Sequence, residues 1–126
     1  MKKLILIIED SEIIRSIIFE FLELKNFNVL SAEDGCIGLH LAKELQPDLI
    51  ICDINMPKLD GYGVLKKLRE DLTTATIPFI FLTAEADPDS RCRAMQLGAN
   101  DYLTKPVNVS KLLNAIANQF TKIHSA

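Results

Sequence analysis

Four apolar runs in this chain end on polar groups, and the groups are those that phosphoryl chemistry uses. Leu4–Ile8 stops at Glu9 and Asp10, residues 49–52 stop at Asp53, residues 79–82 stop at Thr83, and Tyr102-Leu103 leads to Lys105. In an open parallel sheet, sites form beyond the carboxyl ends of the strands, where the strand order reverses. If the first and third strands flank that point, Glu9, Asp10 and Asp53 converge in one crevice. Two unit charges ~4 Å apart cost about 4 kcal/mol at an effective dielectric near 20. Such a cluster takes up protons, a cation, or both. Every candidate ligand is an oxygen, which selects a hard ion. An incomplete protein shell with room for water favours Mg²⁺ over a dedicated Ca²⁺ cage. Lys105 adds an ammonium and Thr83 a hydroxyl. Around one carboxylate oxygen, this set suits phosphoryl transfer, which needs positioning and charge cancellation more than covalent help. Asp53 is then the nucleophile and would carry an acyl phosphate, a recognised route for aspartate.

The elements that must position these groups alternate along the chain. Leu4–Ile8 reads as a buried strand, and Ile13, Ile14, Ile17, Ile18, Phe21 and Leu24 then recur at helical spacing. Asn26 is a left-handed stop. Residues 29–32 form a weaker second strand, and Gly35–Leu45 a helix that Gln46-Pro47 ends, since the residue before proline avoids helical geometry. Residues 49–53 are the third strand. Tyr62, Val64, Leu65 and Leu68 lie on a third helix that opens near Asp60-Gly61. Residues 78–83 are the fourth strand. Asp87-Pro88 starts a fourth helix and Gly98 stops it. Residues 99–104 hold a short fifth strand, and Asn108 caps a last helix with Val109, Leu112, Leu113, Ile116 and Phe120 on its apolar face. Strand–helix alternation with continuously apolar strands calls for a buried parallel sheet with helices on both faces. Only residues 121–126 follow the last helix, so the expectation is a single domain over 1–126 with no output domain.

The composition narrows the function classes. At 126 residues, 48% apolar and 25% charged, the chain is an ordinary globular domain with a core of its own. A net charge of −3 leaves no basic footprint for nucleic acid or for a membrane surface. The apolar run after Met1-Lys2-Lys3 is five residues long, too short for a secretion signal. Cys36, Cys52 and Cys92 are an odd number without zinc spacing, which points to a reducing, cytoplasmic setting.

In order and together, Glu9-Asp10, Asp53…Met56-Pro57…Asp60-Gly61, Thr83-Ala84 and Gly98-Ala99…Asp101-Tyr102…Lys105-Pro106 closely resemble the receiver domain of two-component response regulators, the CheY-like family. The resemblance runs from about Lys3 to Phe120. It implies a flavodoxin-like, doubly wound sheet of five strands in the order 2-1-3-4-5 with five helices. It implies Asp53 as the acceptor of a phosphoryl group from a sensor histidine kinase or a histidine phosphotransfer protein. It implies Mg²⁺ on Glu9, Asp10 and Asp53, with the backbone carbonyl of Asn55 as a further ligand. Thr83 resembles the hydroxyl that turns toward the phosphoryl group, Tyr102 the aromatic that swings inward after it, and Lys105 the lysine that pairs with the phosphoryl oxygens. A cis bond at Lys105-Pro106 is implied too. The output is a surface made by helix four, strand five and helix five, with Arg91, Met95 and Tyr102 as candidates to line it. The resemblance leaves room for a phosphorylation-dependent homodimer, and implies a switch rather than an enzyme with a separate substrate. Glu9 stands where Asp is commoner, and Val107 where Phe is frequent. Glu85 takes a place where side-chain type tunes phosphoryl lifetime in relatives.

Plainer readings stand beside these. Asp10 beside Ser11 suits a helix cap as well as a metal, Glu9 a solvated charge, Tyr102 simple core packing, and His40 and His124 have no sequence partners. A scaffold that works unphosphorylated keeps the same fold. A flavin carrier would want a phosphate-cradling loop where Glu9-Asp10 stands. An aspartate phosphohydrolase would place its nucleophile after the first strand.

Overall fold

A computed structural model describes residues 2–124 of the chain, with side chains to residue 121. Its strands are β1 (Leu4–Ile8), β2 (Asn28–Ala32), β3 (Leu49–Cys52), β4 (Phe79–Thr83) and β5 (Asp101–Thr104). The helices α1 (Glu12–Leu24), α2 (Gly35–Leu45), α3 (Gly61–Glu70), α4 (Pro88–Gln96) and α5 (Val109–His124) alternate with them. All strand pairs are parallel and the order is β2-β1-β3-β4-β5, as the resemblance implied. The reversal of strand order falls between β1 and β3, where the acidic residues lie.

Side chains alternate across the sheet, so each strand feeds two cores. Leu6, Ile8, Ile50, Cys52, Phe79 and Phe81 pack with Ala42 of α2, Val64, Leu65 and Leu68 of α3 and Ala94 of α4. Ile5, Ile7, Leu49, Ile51, Ile80 and Leu82 pack on the other face with Ile18 and Leu22 of α1 and Leu112, Ala115 and Ile116 of α5. Burial on both faces accounts for the continuous apolar runs. The helices are less evenly rooted. Whereas α3 buries five residues, α4 buries Ala94 alone. It leans instead on two tyrosines: the Arg93 guanidinium lies 4.1 Å from the Tyr62 ring centre, and Arg91 lies 5.8 Å from that of Tyr102.

Helix starts follow local chemistry. Ser11, Asp34, Asp60 and Asp87 each accept a hydrogen bond from the N–H three residues on. Ser11 rather than Asp10 therefore caps α1, which leaves the Asp10 carboxylate exposed. Asn108 caps α5 through Lys111 N–H. Asn26 (φ 71°) and Gly98 (φ 104°) are in the left-handed region, as stop residues should be. Expected and observed boundaries differ by one or two residues at β2 to β5. The larger difference is α5, which continues past Phe120 to His124; the His124 side chain lies outside the described residues. Among the described residues no helix is long and apolar enough to cross a membrane.

Candidate functional site

Strand register assembles the site. Ile8 pairs with Cys52 and Cys52 with Phe81, so the residues just past β1 and β3 emerge side by side. Asp53 N–H donates to the Ile8 carbonyl at 3.1 Å, which sets Asp53 beside Glu9. On the other flank Thr83 pairs with Thr104, and Lys105 N–H donates to the Thr83 carbonyl at 2.8 Å. Four strand ends thus fix the origins of Glu9, Asp53, Thr83 and Lys105. The Lys105–Pro106 bond is cis.

One carboxylate oxygen from each of Glu9, Asp10 and Asp53 lies within 4.8 Å of the others. Lys105 Nζ donates to Asp53 Oδ2 at 2.8 Å and forms an ion pair with Glu9 Oε1 at 2.7 Å. The second oxygens are held by backbone: Ile54 N–H donates to Asp53 Oδ1 at 2.7 Å, and Ser11 N–H to Glu9 Oε2 at 3.0 Å. The Asp53 residue is 7% exposed and Glu9 3%, while Asp10 opens the cluster to water. Burial pushes the Glu9 carboxyl above its ordinary range. The bonds from Lys105 and Ser11 pull the other way without overcoming it, and the charge on Asp53 adds to the rise. Burial opposes the charge on Lys105, but its bonds to Asp53 and Glu9 outweigh that, and the ammonium is held more firmly than a free lysine. Glu9 is therefore no solvated surface charge. Its added methylene lets it reach both Lys105 and its own turn, and Arg15 steadies that turn by donating to the Glu9 carbonyl at 2.8 Å.

The glycine of the Asp60-Gly61 pair has a direct reason to be there. A Cβ on Gly61 would sit 2.2 Å from the Asp53 carbonyl oxygen and 2.8 Å from the Phe81 ring. Gly61 N–H donates to the Ile54 carbonyl at 2.8 Å, which closes a short loop carrying Asn55 at the surface. Thr83 is fully buried, and its hydroxyl accepts a bond from Glu85 N–H at 3.4 Å rather than meeting a carboxylate. Tyr102 is already inward, 3% exposed, donating to the Glu85 carbonyl at 2.6 Å with its ring centre 6.1 Å from that of Phe81. Burial, with help from Tyr62, Glu85 and Asp87, pushes its hydroxyl up to about 12. The Glu85 carboxylate accepts from Ser90 Oγ at 2.8 Å.

Several contacts around the site have no signature in the sequence: the Glu9–Lys105 pair, Arg15 on the Glu9 carbonyl, and Tyr62 whose hydroxyl donates to the Ser90 carbonyl at 3.2 Å. Only the helical phase of Arg15 and the aromatic after Gly61 hinted at them. Arg91 and Tyr102 line a groove of about 520 Å³ with Asp101, Lys111 and Leu112, on the face of α4, β5 and α5; Met95, 43% exposed, is not part of its lining. Beside the acids, Ile14, Ile17, Pro106 and Val107 form an apolar collar.

Chemically, two further carboxylates, an ammonium and a backbone N–H surround the Asp53 carboxylate, in a cluster that Asp10 opens to water. That arrangement suits a hard divalent cation and an incoming anionic group. The profile of the response regulator receiver domain matches residues 5–117. Over 109 residues, the chain is 43% identical to the DNA-binding dual master transcriptional regulator RpaA of Synechocystis, a match covering 86% of this chain and 45% of that protein. It thus spans about half the length of the transcriptional regulators it matches. It is 37% identical over 117 residues to histidine kinase P4 of Formosa agariphila, a match that takes in 93% of this chain and 8% of the kinase. A response regulator receiver domain protein from Clostridium thermocellum superposes with a TM-score of 0.89 at 34% identity, over 97% of each chain.

Proposed function

Since the chain belongs to the response regulator receiver domain family, we propose that residues 1–126 act as one phosphoacceptor unit whose acceptor is Asp53. The observation that carries this reading is the Lys105 ammonium bridging Asp53 and Glu9 at 2.8 and 2.7 Å, within an acidic cluster that Asp10 opens to water. In the transfer, an oxygen of Asp53 bonds to phosphorus as the donor's histidine nitrogen leaves with the bonding pair. Ile54 N–H keeps the carboxylate oriented, and Lys105 moves from it to the phosphoryl oxygens. The carboxylates of Glu9, Asp10 and Asp53 and the Asn55 carbonyl would hold Mg²⁺, and when bound it supplies further charge cancellation on the transferred group.

Release of Lys105 from the carboxylate and rotation of the Thr83 hydroxyl toward the new anion alter the β4–α4 loop, where Tyr102 grips the Glu85 carbonyl. The lightly rooted α4 then moves relative to β5 and α5, and the groove lined by Arg91 and Tyr102 presents a changed surface to a downstream protein. The apolar collar of Ile14, Ile17, Pro106 and Val107 offers the donor, a histidine kinase or phosphotransfer protein, a seat beside the acceptor. The domain speeds its own phosphorylation and hydrolysis without acting on a separate substrate. No direct contact with nucleic acid or membrane is needed for this cycle, and a cytoplasmic setting suits it. Acetyl phosphate with Mg²⁺, followed by intact mass, tests the assignment. The wild type gains one phosphoryl group and Asp53→Asn does not; an equal gain in both overturns it.

A further inference from the structure

The loop between Asp53 and Gly61 is bent and pinned in a way the acceptor chemistry alone does not explain. Lys58 sits at its tip with φ 70°, a left-handed conformation uncommon for a lysine. Leu59 N–H donates to the Pro57 carbonyl at 2.8 Å across it, closing a three-residue turn of the strained hand. Such strain persists only where the surroundings over-determine it. Two contacts with the start of α2 do so. The Lys58 ammonium reaches Asp34 Oδ2 at 3.4 Å, although the lysine side chain is 68% exposed. The Leu59 carbonyl packs so closely on Gly35 that a Cβ there would lie 2.2 Å from it. Asp34 is itself buried and fixed, because its Oδ1 accepts from Ile37 N–H at 2.8 Å. The anchor is therefore rigid, and what it holds is the tip of the loop that carries Asn55.

We propose that Lys58 and Asp34 are positioning residues for the divalent cation, an ion-pair tether that holds the 55–60 loop in its strained turn so that its backbone can complete the acidic cluster. The inference rests on the reading of Glu9, Asp10 and Asp53 as the cation site. Without the tether the turn relaxes, and part of the cation's binding energy goes into bending it again. The same logic makes the effect electrostatic and local. It weakens in high salt, because the ammonium is exposed.

Mg²⁺ affinity by titration, in a double-mutant cycle, tests this at low and high ionic strength. Lys58→Met and Asp34→Ser, the latter keeping a helix cap, each weaken Mg²⁺ about two- to fourfold at low salt, the range an exposed pair can supply. The double variant is no weaker than either single one, because the tether is lost only once. Lys58→Arg restores wild-type affinity, and in Mg²⁺-free protein the 55–59 amides of Lys58→Met exchange faster while those of β3 do not. Unchanged affinity in Lys58→Met, effects that multiply in the double variant, or no rescue by arginine would each overturn the tether. Should Asp34→Ser fail to fold, Lys58→Met, Lys58→Arg and the amide exchange decide it. Asp10→Asn is the separate control: if it binds Mg²⁺ as wild type does, the cation site itself is wrong, whatever the tether does.

Discussion

Replacing Lys105 by methionine isolates the electrostatics on which the site depends. Methionine keeps much of the stem and removes only the charge that bridges Asp53 and Glu9. The two carboxylates, with oxygens no more than 4.8 Å apart, then face each other with Asp10 as a third neighbour. At an effective dielectric near 20, one such pair repels by about 3.5 kcal/mol at that distance. Asp10 is exposed and adds less. Protonation of Glu9 caps the cost, so the expected loss of stability is about 2–3 kcal/mol near neutral pH without Mg²⁺. The pH dependence has a definite sign. A carboxyl whose folded pKa lies above its unfolded value favours folding at low pH and loses that contribution as pH rises through the folded pKa. The Glu9 carboxyl is already raised, and removing the ammonium raises it further. The deficit is therefore largest near neutrality and shrinks as the solution is acidified. Saturating Mg²⁺ stabilises both proteins but narrows the gap, because no ammonium competes for the carboxylates of the variant; each tenfold tightening of its Kd over the wild type recovers about 1.4 kcal/mol. Urea unfolding of both proteins, with and without MgCl₂, at neutral and mildly acid pH, reads all of this. A deficit of the same size in every condition would refute the idea that Lys105 balances the acidic cluster.

Gly61→Ala, whose methyl would lie 2.2 Å from the Asp53 carbonyl and 2.8 Å from the Phe81 ring, is expected to cost about 1–3 kcal/mol in urea unfolding and to slow acetyl phosphate labelling; unaltered stability would contradict that close approach. Ile17→Glu, on the collar and 56% exposed, should leave acetyl phosphate labelling intact and slow transfer from a phosphorylated histidine donor at least tenfold. Equal rates with both donors would remove the collar from the docking surface. Bonds from Ser90 N–H and then Ser90 Oγ hold the Asp87 carboxyl below the usual carboxylate range, so its contribution is present above the unfolded pKa and lost as pH falls through the folded one. In Asp87→Asn, which still caps α4, the acid limb of a stability–pH curve should be shallower, and an identical limb would count against the assignment.

The parts of this fold that could be read from the chain are those with short-range causes. Both faces of β1, β3 and β4 are buried, so their apolar runs are uninterrupted, and Asn26, Gly98, Asp87 and Asn108 do their work within a few residues of themselves. The acids converge because parallel register carries Ile8 alongside Cys52, a consequence of topology that the family resemblance implied. What stayed hidden depends on side-chain reach. Nothing in the Glu9-Asp10 pair says that Glu9 turns to Lys105, or that Ser11 takes the helix cap and leaves Asp10 to the solvent. The resemblance has Tyr102 swing inward after phosphorylation; in this structure it is inward already, donating to the Glu85 carbonyl. The resemblance has the Thr83 hydroxyl turn toward a phosphoryl group on Asp53; here it accepts from Glu85 N–H, a partner the sequence does not announce. The bend at Lys58 is invisible in sequence because lysine carries no preference for it; only the distant Asp34 and Gly35 make it tolerable.

Helix α4 inserts a single alanine, Ala94, into the interior and is otherwise moored through arginines laid on two aromatic rings. An element attached this way can exchange nearly all of its outward residues without opening a void beneath. Selection is then free to rewrite that face for one binding target after another while the acidic pocket at the strand ends stays as it is. In such a molecule, partner choice and phosphate chemistry can evolve on separate clocks.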